Sequence, residues 1–295
     1  MRLVSTLLNG VAGAALLHGG RVYSLVEVAQ ALGLEHSSRF REVSSTIPQL
    51  DELTSAWAEA DATKLLRGLA SLGQDEVELL APVRDADKII CVGLNYAEHV
   101  REVKREPGEV PTLFPKFRNS LRGPYQTIVV PRADRETDYE GELAVVIGRR
   151  VSRETPDTVR DAIAGVMVMN DVSARALQRQ GVQWTRGKAI DTYAPCGPAL
   201  VTIDEISELQ SLGIRTRVNG ELLQDSNTRH MIWTVHELIS FISETMTLEP
   251  GDIIATGTPE GIGARRTPPR FLEEGDVVEI EIDEIGAIRN EVVFE

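Results

Sequence analysis

Three acidic residues alternate with other residue types at the start of an apolar segment. Asp138, Glu140 and Glu142 stand two apart in 138-DYEGELAVVIG-148, and the chain then becomes apolar. In an extended strand, side chains two residues apart share a face and lie about 7 Å apart along the strand. Glu140 and Glu142 can therefore converge on one ion, and Asp138 is expected to point further out.

A fourth acid ends the next apolar segment of the sequence. Asp171 directly follows 163-IAGVMVMN-170. Carboxylates held together raise one another's pKa values unless a cation lies among them. Because no histidine or cysteine stands nearby, such a group of ligands suits Mg²⁺, Mn²⁺ or Ca²⁺ rather than Zn²⁺. The spacing is equally compatible with acids that face water from a solvated edge strand.

His99 and Glu102 form a second group whose spacing suits chemistry. They are three residues apart in a predicted short helix after Tyr96, so they lie on one helical face. A carboxylate that accepts one imidazole N–H fixes the tautomer and makes the other ring nitrogen a better base. Spacing alone also fits an ordinary His–Glu pair on the surface.

Lys188 and a glycine-rich loop complete the candidate residues. Lys188 precedes 189-AIDTYAPCGP-198, and on its own such a lysine is most simply a solvated surface charge. The loop 256-TGTPEGIG-263 lacks the Gly-Lys-Ser/Thr ending of a phosphate-binding loop, which argues against an NTPase. Its backbone N–H groups and Thr258 can hold a small carboxylate. Tight turns without a ligand explain the same glycines.

Short strands must position most of these residues. Many short strands with few helices indicate a β-rich α+β fold. The pairs Asn9–Gly10 and Asn219–Gly220 predict hairpins. Pro82 and the polar stretch after it divide the chain into a small N-terminal domain, residues 1–82, and a larger domain, residues 83–295. Strands are predicted at 88–96, 126–131, 141–148, 163–172, 215–224, 252–257 and 276–286, and helices at 24–33, within 54–73, at 155–162 and at 234–248.

Composition restricts the classes of partner. The 31 basic and 45 acidic residues give a net charge of −14, which argues against nucleic acid or a membrane surface as a general partner. Cys91 and Cys196 form no CxxC motif and no disulfide framework, so we expect buried, inert thiols. No segment approaches the roughly 18 apolar residues of a membrane span. We therefore expect a cytoplasmic protein.

The sequence resembles the fumarylacetoacetate hydrolase family from about Lys88 to Gly263. The resemblance implies the family's mixed β-roll catalytic domain behind a small N-terminal α/β domain, and a homodimer. It is similar to bacterial-type members with an N-terminal domain, such as 2-hydroxyhepta-2,4-diene-1,7-dioate isomerases and acylpyruvases. The motifs occur in the family's order, and they are 93-GLNYAEHVRE-102, 138-DYEGELAVVIG-148, 170-NDVSAR-175, 187-GKAIDTYAPCGP-198 and 252-DIIATGTPEGIG-263.

The resemblance also implies roles for individual residues. The family's metal-binding pattern, Glu-x-Glu followed by Asp, falls on Glu140, Glu142 and Asp171, and it implies Mg²⁺ or Mn²⁺ with Ca²⁺ as a substitute. His99 and Glu102 match the family's water-activating pair. Lys188 is implied to bind the substrate's carboxylate or a developing oxyanion, a role that suits a compact cation. The other implied substrate contacts are Arg175, Gln178, Gly257 and Thr258.

One segment departs from the common family pattern. Where many members have a Lys-Pro stretch before the metal strand, this chain has 114-FPKFRNSLRGP-124. Lys116, Arg118 and Ser120 are therefore expected to alter the entrance of the pocket. The departure affects the identity of the substrate more than metal binding.

The activity that the resemblance implies is hydrolysis of a C–C bond in a small acylpyruvate-like 2,4-diketo acid. His99, oriented by Glu102, would activate water, and the metal with Lys188 would stabilise a pyruvate enolate as the leaving group. The same residues support isomerisation of a 2-hydroxydienedioate, as in aromatic catabolism, or decarboxylation of an oxaloacetate-type 2-oxo acid. A non-catalytic protein that binds metal and carboxylate is a further alternative, but such a protein would not need the base.

Overall fold

Short strands and short helices make up the protein. In its computed structural model, residues 1–106 and 108–295 are described. The strands are β1 (Arg2–Leu8), β2 (Val11–His18), β3 (Arg21–Ser24), β4 (Ser71–Gly73), β5 (Glu78–Leu80), β6 (Ile89–Gly93), β7 (Thr112–Lys116), β8 (Leu121–Arg122), β9 (Ile128–Val130), β10 (Thr137–Asp138), β11 (Gly141–Ile147), β12 (Ile163–Asn170), β13 (Ser173–Ala174), β14 (Ala194–Thr202), β15 (Gly213–Val218), β16 (Glu221–Asn227), β17 (Ile253–Ala255), β18 (Val277–Ile282) and β19 (Gly286–Phe294). The α-helices are α1 (Leu25–Ala31), α2 (Val43–Thr46), α3 (Leu50–Glu59), α4 (Ala62–Leu66), α5 (Ala97–Glu102), α6 (Arg175–Gln178), α7 (Thr185–Lys188) and α8 (Val235–Ser243).

Most strands belong to one large mixed sheet. Its described part has the order β4-β3-β2-β1-β14-β12-β11-β17-β6-β7, while β5 pairs with β1 and β8 pairs with β14. Its neighbouring strands are antiparallel except for β17 with β6 and β8 with β14, which are parallel. A second sheet has the order β16-β15-β18-β19-β9, and β10 pairs with β13. This architecture confirms the predicted β-rich α+β fold.

The central strands β11 and β12 are buried on both faces. Along β11, Leu143 and Val145 face a hydrophobic core that includes Ile280 of the second sheet. The alternate residues, Ala144 and Val146, face a different core that is shared with the N-terminal segment. A strand covered on both faces reads as a continuous apolar run. The two apolar segments beside the acids, β11 and β12, therefore lie in the middle of the fold.

The N-terminal residues extend the same large sheet. Asn9 and Gly10, both with positive φ, join β1 to β2 in the predicted hairpin, and β1 also pairs with β14. Helices α1 and α3 pack on the core that contains Ala144. Strands from both sides of residue 82 thus lie in one sheet, and the domain boundary proposed there stays a prediction.

The prediction of a helix at 155–162 is wrong. The described chain forms turns there, followed by a 3₁₀ segment at Arg160–Ala162. The Thr158 hydroxyl donates to the Thr155 carbonyl at 3.1 Å and accepts from the Thr155 N–H at 3.1 Å. Such local side-chain hydrogen bonds compete with the bonds that would continue a helix.

Two other helix predictions need new boundaries. The segment 54–73 contains the end of α3, the whole of α4 and the strand β4. The helix α4 begins anew after Asp61, because the Asp61 side chain accepts a hydrogen bond from the Lys64 N–H at 3.0 Å. The helix predicted at 234–248 begins after Thr234, whose capping box with Glu237 is present, and α8 ends at residue 243.

Two further expectations concern the cysteines and the membrane. Cys91 and Cys196 are both free and buried, as expected. Burial raises the pKa of Cys196 to about 12, which keeps this thiol protonated and inert. Among the described residues, no helix combines the length and the apolar character that crossing a bilayer requires. The cytoplasmic location and the homodimer stay predictions.

We predict that Leu143→Ala lowers the free energy of unfolding by about 2–5 kcal/mol, because the fully buried Leu143 leaves a cavity between the two sheets. Urea denaturation monitored by circular dichroism measures the change. The control is Leu222→Ala on β16, since Leu222 is 45% exposed and its loss should cost less than about 0.5 kcal/mol. Equal destabilisation by the two substitutions would contradict this packing.

Candidate active site

The antiparallel register of β11 and β12 brings the predicted metal ligands together. Gly141 pairs with Asn170, so Glu140 and Glu142 flank the point at which Asp171 leaves β12. The Asp171 N–H donates to the Glu140 carbonyl at 2.9 Å. One carboxylate oxygen from each of the three acids lies within 4.8 Å of the others. All three acids are buried, so the solvated edge strand is not what forms.

Lys188 links two of these carboxylates. Its ammonium donates to Glu140 Oε2 at 2.5 Å and to Asp171 Oδ2 at 2.6 Å, and the side chain is buried. Burial alone would lower the pKa of Lys188, but Asp171 and Glu140 outweigh this effect and raise it. Lys188 is therefore a charged group of the site and not a solvated surface charge.

Arg175 stabilises the charge on Glu140. Arg175 Nη2 lies 2.6 Å from Glu140 Oε1. Burial alone would raise the pKa of Glu140, but Arg175 and Lys188 together outweigh burial and hold that pKa well below its usual range. Arg175 was expected to contact substrate, and the structure shows its guanidinium engaged with the protein's own carboxylates.

Asp138 lies outside the cluster of three acids and is fully buried. Its Oδ2 accepts from Arg175 Nε at 2.9 Å and from the Ala264 N–H at 3.0 Å. Its Oδ1 accepts from the Gly263 N–H at 2.8 Å. Asp138 was expected to point further out, and instead it fixes Arg175 and the end of the glycine-rich loop inside the protein.

Glu142 is the carboxylate whose charge is least compensated. Burial, followed by the charges of Asp171 and Glu140, raises the pKa of Glu142 well above its usual value. Among the described residues, no lysine or arginine forms an ion pair with Glu142. The donor set consists of oxygen atoms only, so its chemistry fits Mg²⁺ or Mn²⁺, and a divalent ion would compensate this charge.

Lys116 belongs to the carboxylate cluster, a role that differs from the one the sequence analysis expected. This fully buried lysine lies 2.8 Å from Asp171 Oδ1. Its ammonium also donates to the carbonyls of Val172 at 3.1 Å and Tyr193 at 2.7 Å, and to the Lys188 carbonyl. Lys116 thus fixes both a proposed metal ligand and the main chain of the lysine beside it.

The expectation that Lys116, Arg118 and Ser120 alter the pocket entrance is wrong, since none of the three lines the described cavity. Arg118 pairs with the exposed Asp87 at 2.7 Å, and Ser120 is buried. A signal for the burial of Lys116 was present in the sequence. It lies two residues after Phe114 on β7, so the two side chains share a buried face.

His99 and Glu102 form the predicted pair on α5. His99 Nδ1 lies 3.0 Å from Glu102 Oε2, and the imidazole is 5% exposed. Glu102 Oε1 accepts from the Gly261 N–H at 2.9 Å, which fixes the carboxylate that orients the ring. His99 is therefore buried and its half-buried partner Glu102 is anchored, unlike an ordinary surface pair.

The glycine-rich loop binds the protein's own carboxylates. Gly257 has φ of +102° and Gly261 has φ of +99°, a region that side chains disfavour. A Cβ on Gly261 would lie 2.2 Å from the Leu223 carbonyl oxygen, so only glycine fits there. The loop was expected to hold a substrate carboxylate, and its N–H groups instead donate to Glu142 from Gly257, to Glu102 from Gly261 and to Asp138 from Gly263.

A cavity of about 490 Å³ connects these groups. It is lined by His99, Glu140, Glu142 and Lys188, together with the predicted substrate contacts Arg175, Gln178 and Thr258. Gly257, the fourth predicted contact, does not line the described cavity and acts on Glu142 instead. The Thr258 hydroxyl accepts from Gln224 Nε2 at 2.8 Å, a contact that the sequence did not reveal. The His99 imidazole, two of the clustered carboxylates and Lys188 thus share one space.

Fold and site together define the class of protein. It is a β-rich α+β protein in which three buried carboxylates, an ion-paired lysine and a His–Glu pair surround one cavity. The profile described as fumarylacetoacetate (FAA) hydrolase C-terminal matches residues 88–293. The chain belongs to the fumarylacetoacetate hydrolase family, as its motifs predicted.

Relatives in this family are enzymes with different reactions. The chain is 47% identical over 241 residues to the mitochondrial oxaloacetate tautomerase FAHD2B of Bos taurus, covering 80% of this chain and 77% of that protein. The solved fumarylacetoacetate hydrolase of Exiguobacterium antarcticum is 34% identical with a TM-score of 0.84, and the match covers 100% of both chains. Maleylpyruvate hydrolase from Sphingobium sp. SYK-6, solved in complex with manganese(II) ion and pyruvate, is 29% identical with a TM-score of 0.80, and the match covers 100% of this chain and 99% of that chain.

We predict that Mg²⁺ or Mn²⁺ raises the melting temperature more at about pH 8 than at about pH 5, because a proton on Glu142 competes with the ion. The raised pKa of Glu142 means that, without metal, the folded protein holds this proton to higher pH than the unfolded chain. Stability without metal should therefore fall as pH rises above the usual glutamate range. Differential scanning fluorimetry across this pH range measures both effects.

Glu142→Gln should remove the metal-induced increase at both pH values, because a proposed ligand is lost, and Glu221→Gln at the exposed start of β16 should leave the increase and its pH dependence unchanged. A metal-induced increase in melting temperature that is the same at every pH in the unmodified protein would contradict the role of Glu142.

We predict that Lys116→Met lowers the free energy of unfolding by about 3–5 kcal/mol, the usual effect of removing one partner from a buried ion pair. Asp171 Oδ1 would lose the ammonium that lies 2.8 Å away. Urea denaturation measures the change, with Lys64→Met on the exposed face of α4 as the control. Equal effects of the two substitutions would contradict the role of Lys116.

Proposed function

We propose that the protein is a divalent-metal-dependent enzyme that interconverts the enol and keto forms of an oxaloacetate-type 2-oxo acid. The observation that carries the proposal is the position of His99 in one cavity with the carboxylate cluster, while its Nδ1 is already engaged by Glu102. Nε2 is therefore the ring nitrogen available to move a proton on a substrate. The 47% identity to an oxaloacetate tautomerase supports this reaction.

Glu140, Glu142 and Asp171 are the residues that would hold the metal. Their oxygen donors suit Mg²⁺ or Mn²⁺, with Ca²⁺ as a substitute of similar preference. When bound, the ion supplies positive charge that polarises the carbonyl of a 2-oxo acid. The remaining steps belong to side chains of this chain.

His99 is the group proposed to move the proton. In enolisation a proton leaves the carbon next to the carbonyl and ends on the carbonyl oxygen. His99 Nε2 accepts the proton from carbon, and Glu102, 3.0 Å from Nδ1, stabilises the imidazolium that forms. His99 then donates the proton to the oxygen, and the reverse order gives ketonisation.

Lys188 provides charge where the oxygen becomes negative. Its ammonium lines the cavity and lies 5.0 Å from the centroid of the Phe114 ring. The carboxylates of Asp171 and Glu140 raise the pKa of Lys188 despite burial, so it enters the reaction protonated. A preorganised cation in a site that excludes water stabilises a developing oxyanion more strongly than one in bulk water.

The second candidate is the C–C bond hydrolysis that the sequence resemblance implies. The His99–Glu102 pair can take a proton from water as readily as from carbon, and the chain is similar over its full length to a maleylpyruvate hydrolase. Water would attack the distal carbonyl of an acylpyruvate, and a pyruvate enolate would leave. Decarboxylation of oxaloacetate gives the same enolate and also releases pyruvate.

We predict that the protein with Mg²⁺ or Mn²⁺ accelerates ketonisation of oxaloacetate enol, and that His99→Gln lowers the rate by roughly 10²–10⁴-fold because the proton carrier is lost. Ultraviolet absorbance of the enol measures tautomerisation, and a coupled assay measures pyruvate. The control is His230→Gln, since His230 is exposed and does not line the described cavity.

The products distinguish the candidates. Enol decay without pyruvate supports the tautomerase, and pyruvate from oxaloacetate indicates a decarboxylase. Metal-dependent release of pyruvate from an acylpyruvate, without tautomerase activity, would replace the proposal by the hydrolase. If His99→Gln alters no rate while oxalate still binds, the protein is a binding module and the proposed mechanism is wrong.

A further inference from the structure

The cavity has a charge balance opposite to that of the whole chain. The chain carries 31 basic and 45 acidic residues. Within the described residues, the acids that line the cavity are Glu140 and Glu142, both of them proposed metal ligands. The basic residues that line it are Arg105, Arg175, Arg179, Lys188 and Arg265. An excess of basic side chains in a protein this acidic indicates an anionic ligand.

Three of the basic residues are already neutralised by the protein itself. Lys188 and Arg175 pair with the buried acids described above, and Arg179 pairs with Glu136. Arg105 and Arg265 differ, since in the described part of the chain neither forms an ion pair with a carboxylate. Both are exposed at the mouth of the cavity. These two guanidinium groups are therefore the ones free to bind a ligand.

Arg265 is held by a rigid piece of backbone. It ends the 3₁₀ segment Gly263–Arg265, whose first two N–H groups donate to the buried carboxylate of Asp138. The Arg265 N–H donates to the Ile262 carbonyl at 3.2 Å. The backbone of Arg265 is thus positioned by the same carboxylate that orients Arg175.

The backbone of Arg105 is hydrogen-bonded to the helix that carries the proposed base. Its N–H donates to the Val100 carbonyl at 3.1 Å, just after Lys104, which has φ of +56°. Arg105 lies three residues after Glu102 and six after His99. A ligand group that contacts Arg105 and Arg265 together would hold this helix against the turn at residues 263–265.

We propose that Arg105 and Arg265 form a subsite for a second carboxylate at the distal end of the substrate, so that the protein prefers 2-oxo dicarboxylates over 2-oxo monocarboxylates. The guanidinium group binds a carboxylate through two parallel hydrogen bonds, which gives it the geometry for this task. The cavity of about 490 Å³ has room for such a chain between its two ends. This inference rests on the proposed function only in placing the 2-oxo acid end of the substrate at the carboxylate cluster.

The test compares ligands that differ only at their distal end. Calorimetry in the presence of Mn²⁺ measures binding of 2-oxoadipate against 2-oxohexanoate, and of 2-oxoglutarate against 2-oxopentanoate. Oxalate, which is too short to reach the mouth of the cavity, reports on the metal end alone. Binding is the readout, so the result does not depend on which reaction the enzyme catalyses.

In the unmodified protein we expect the dicarboxylate of at least one pair to bind roughly tenfold tighter, the value of a charge-assisted hydrogen-bonded pair near a surface. Arg265→Gln and Arg105→Gln should each remove most of this preference and leave oxalate binding unchanged. Arg265→Lys should keep part of it. The control is the exposed Arg229, which does not line the described cavity, and Arg229→Gln should leave the preference and oxalate binding unchanged.

The proposed subsite is contradicted if, in each pair, the dicarboxylate and the monocarboxylate bind equally tightly to the unmodified protein. It is also contradicted if the preference for the dicarboxylate survives in Arg265→Gln and Arg105→Gln. Loss of the preference in those variants while oxalate still binds supports it, even if the tautomerase assay fails. A tautomerase that shows no preference for a distal carboxylate keeps the proposed function and removes this inference alone.

Discussion

The burial of four carboxylates next to one another is the constraint on which the rest of the site depends. Asp138, Glu140, Glu142 and Asp171 are all nearly inaccessible to water. Taking charges out of water is costly unless they are paired and hydrogen-bonded. Three basic side chains, Lys116, Arg175 and Lys188, pair with these four acids. Among the described residues, Glu142 is the acid that has no basic partner. A divalent cation bound at Glu142 would compensate the remaining negative charge.

The glycine-rich loop connects the two chemical parts of the site. It donates N–H groups to Glu142 at the proposed metal end and to Glu102 beside the base, through Gly257 and Gly261. The same loop continues into the turn that presents Arg265. A single backbone segment thus sets the relative positions of the proposed metal ligand Glu142, the Glu102 partner of His99 and Arg265. This dependence explains why glycines occur at positions where a Cβ would collide with Asn95 or Leu223.

The fold class followed from the many short strands. The three acids were selected by their match to the family's metal-binding pattern, since their spacing alone also fitted a solvated edge strand. Alternation with a period of two places Glu140 and Glu142 on one face, and the apolar runs of β11 and β12 require central strands. Lys116 was expected at the pocket entrance because its segment departs from the common family pattern. Its burial depends on contacts with Asp171 and with backbone carbonyls that are distant in the sequence. The ligands of the loop N–H groups were missed for the same reason, since backbone contacts between distant segments leave no local pattern.

A crystal structure of the protein grown with Mn²⁺, with an anomalous difference map recorded near the manganese edge, tests the central claim most directly. The account predicts one strong peak bounded by oxygen atoms of Glu140, Glu142 and Asp171, and its loss in Glu142→Gln. An ordered carboxylate cluster without a peak, or a peak held by other residues, would contradict the account.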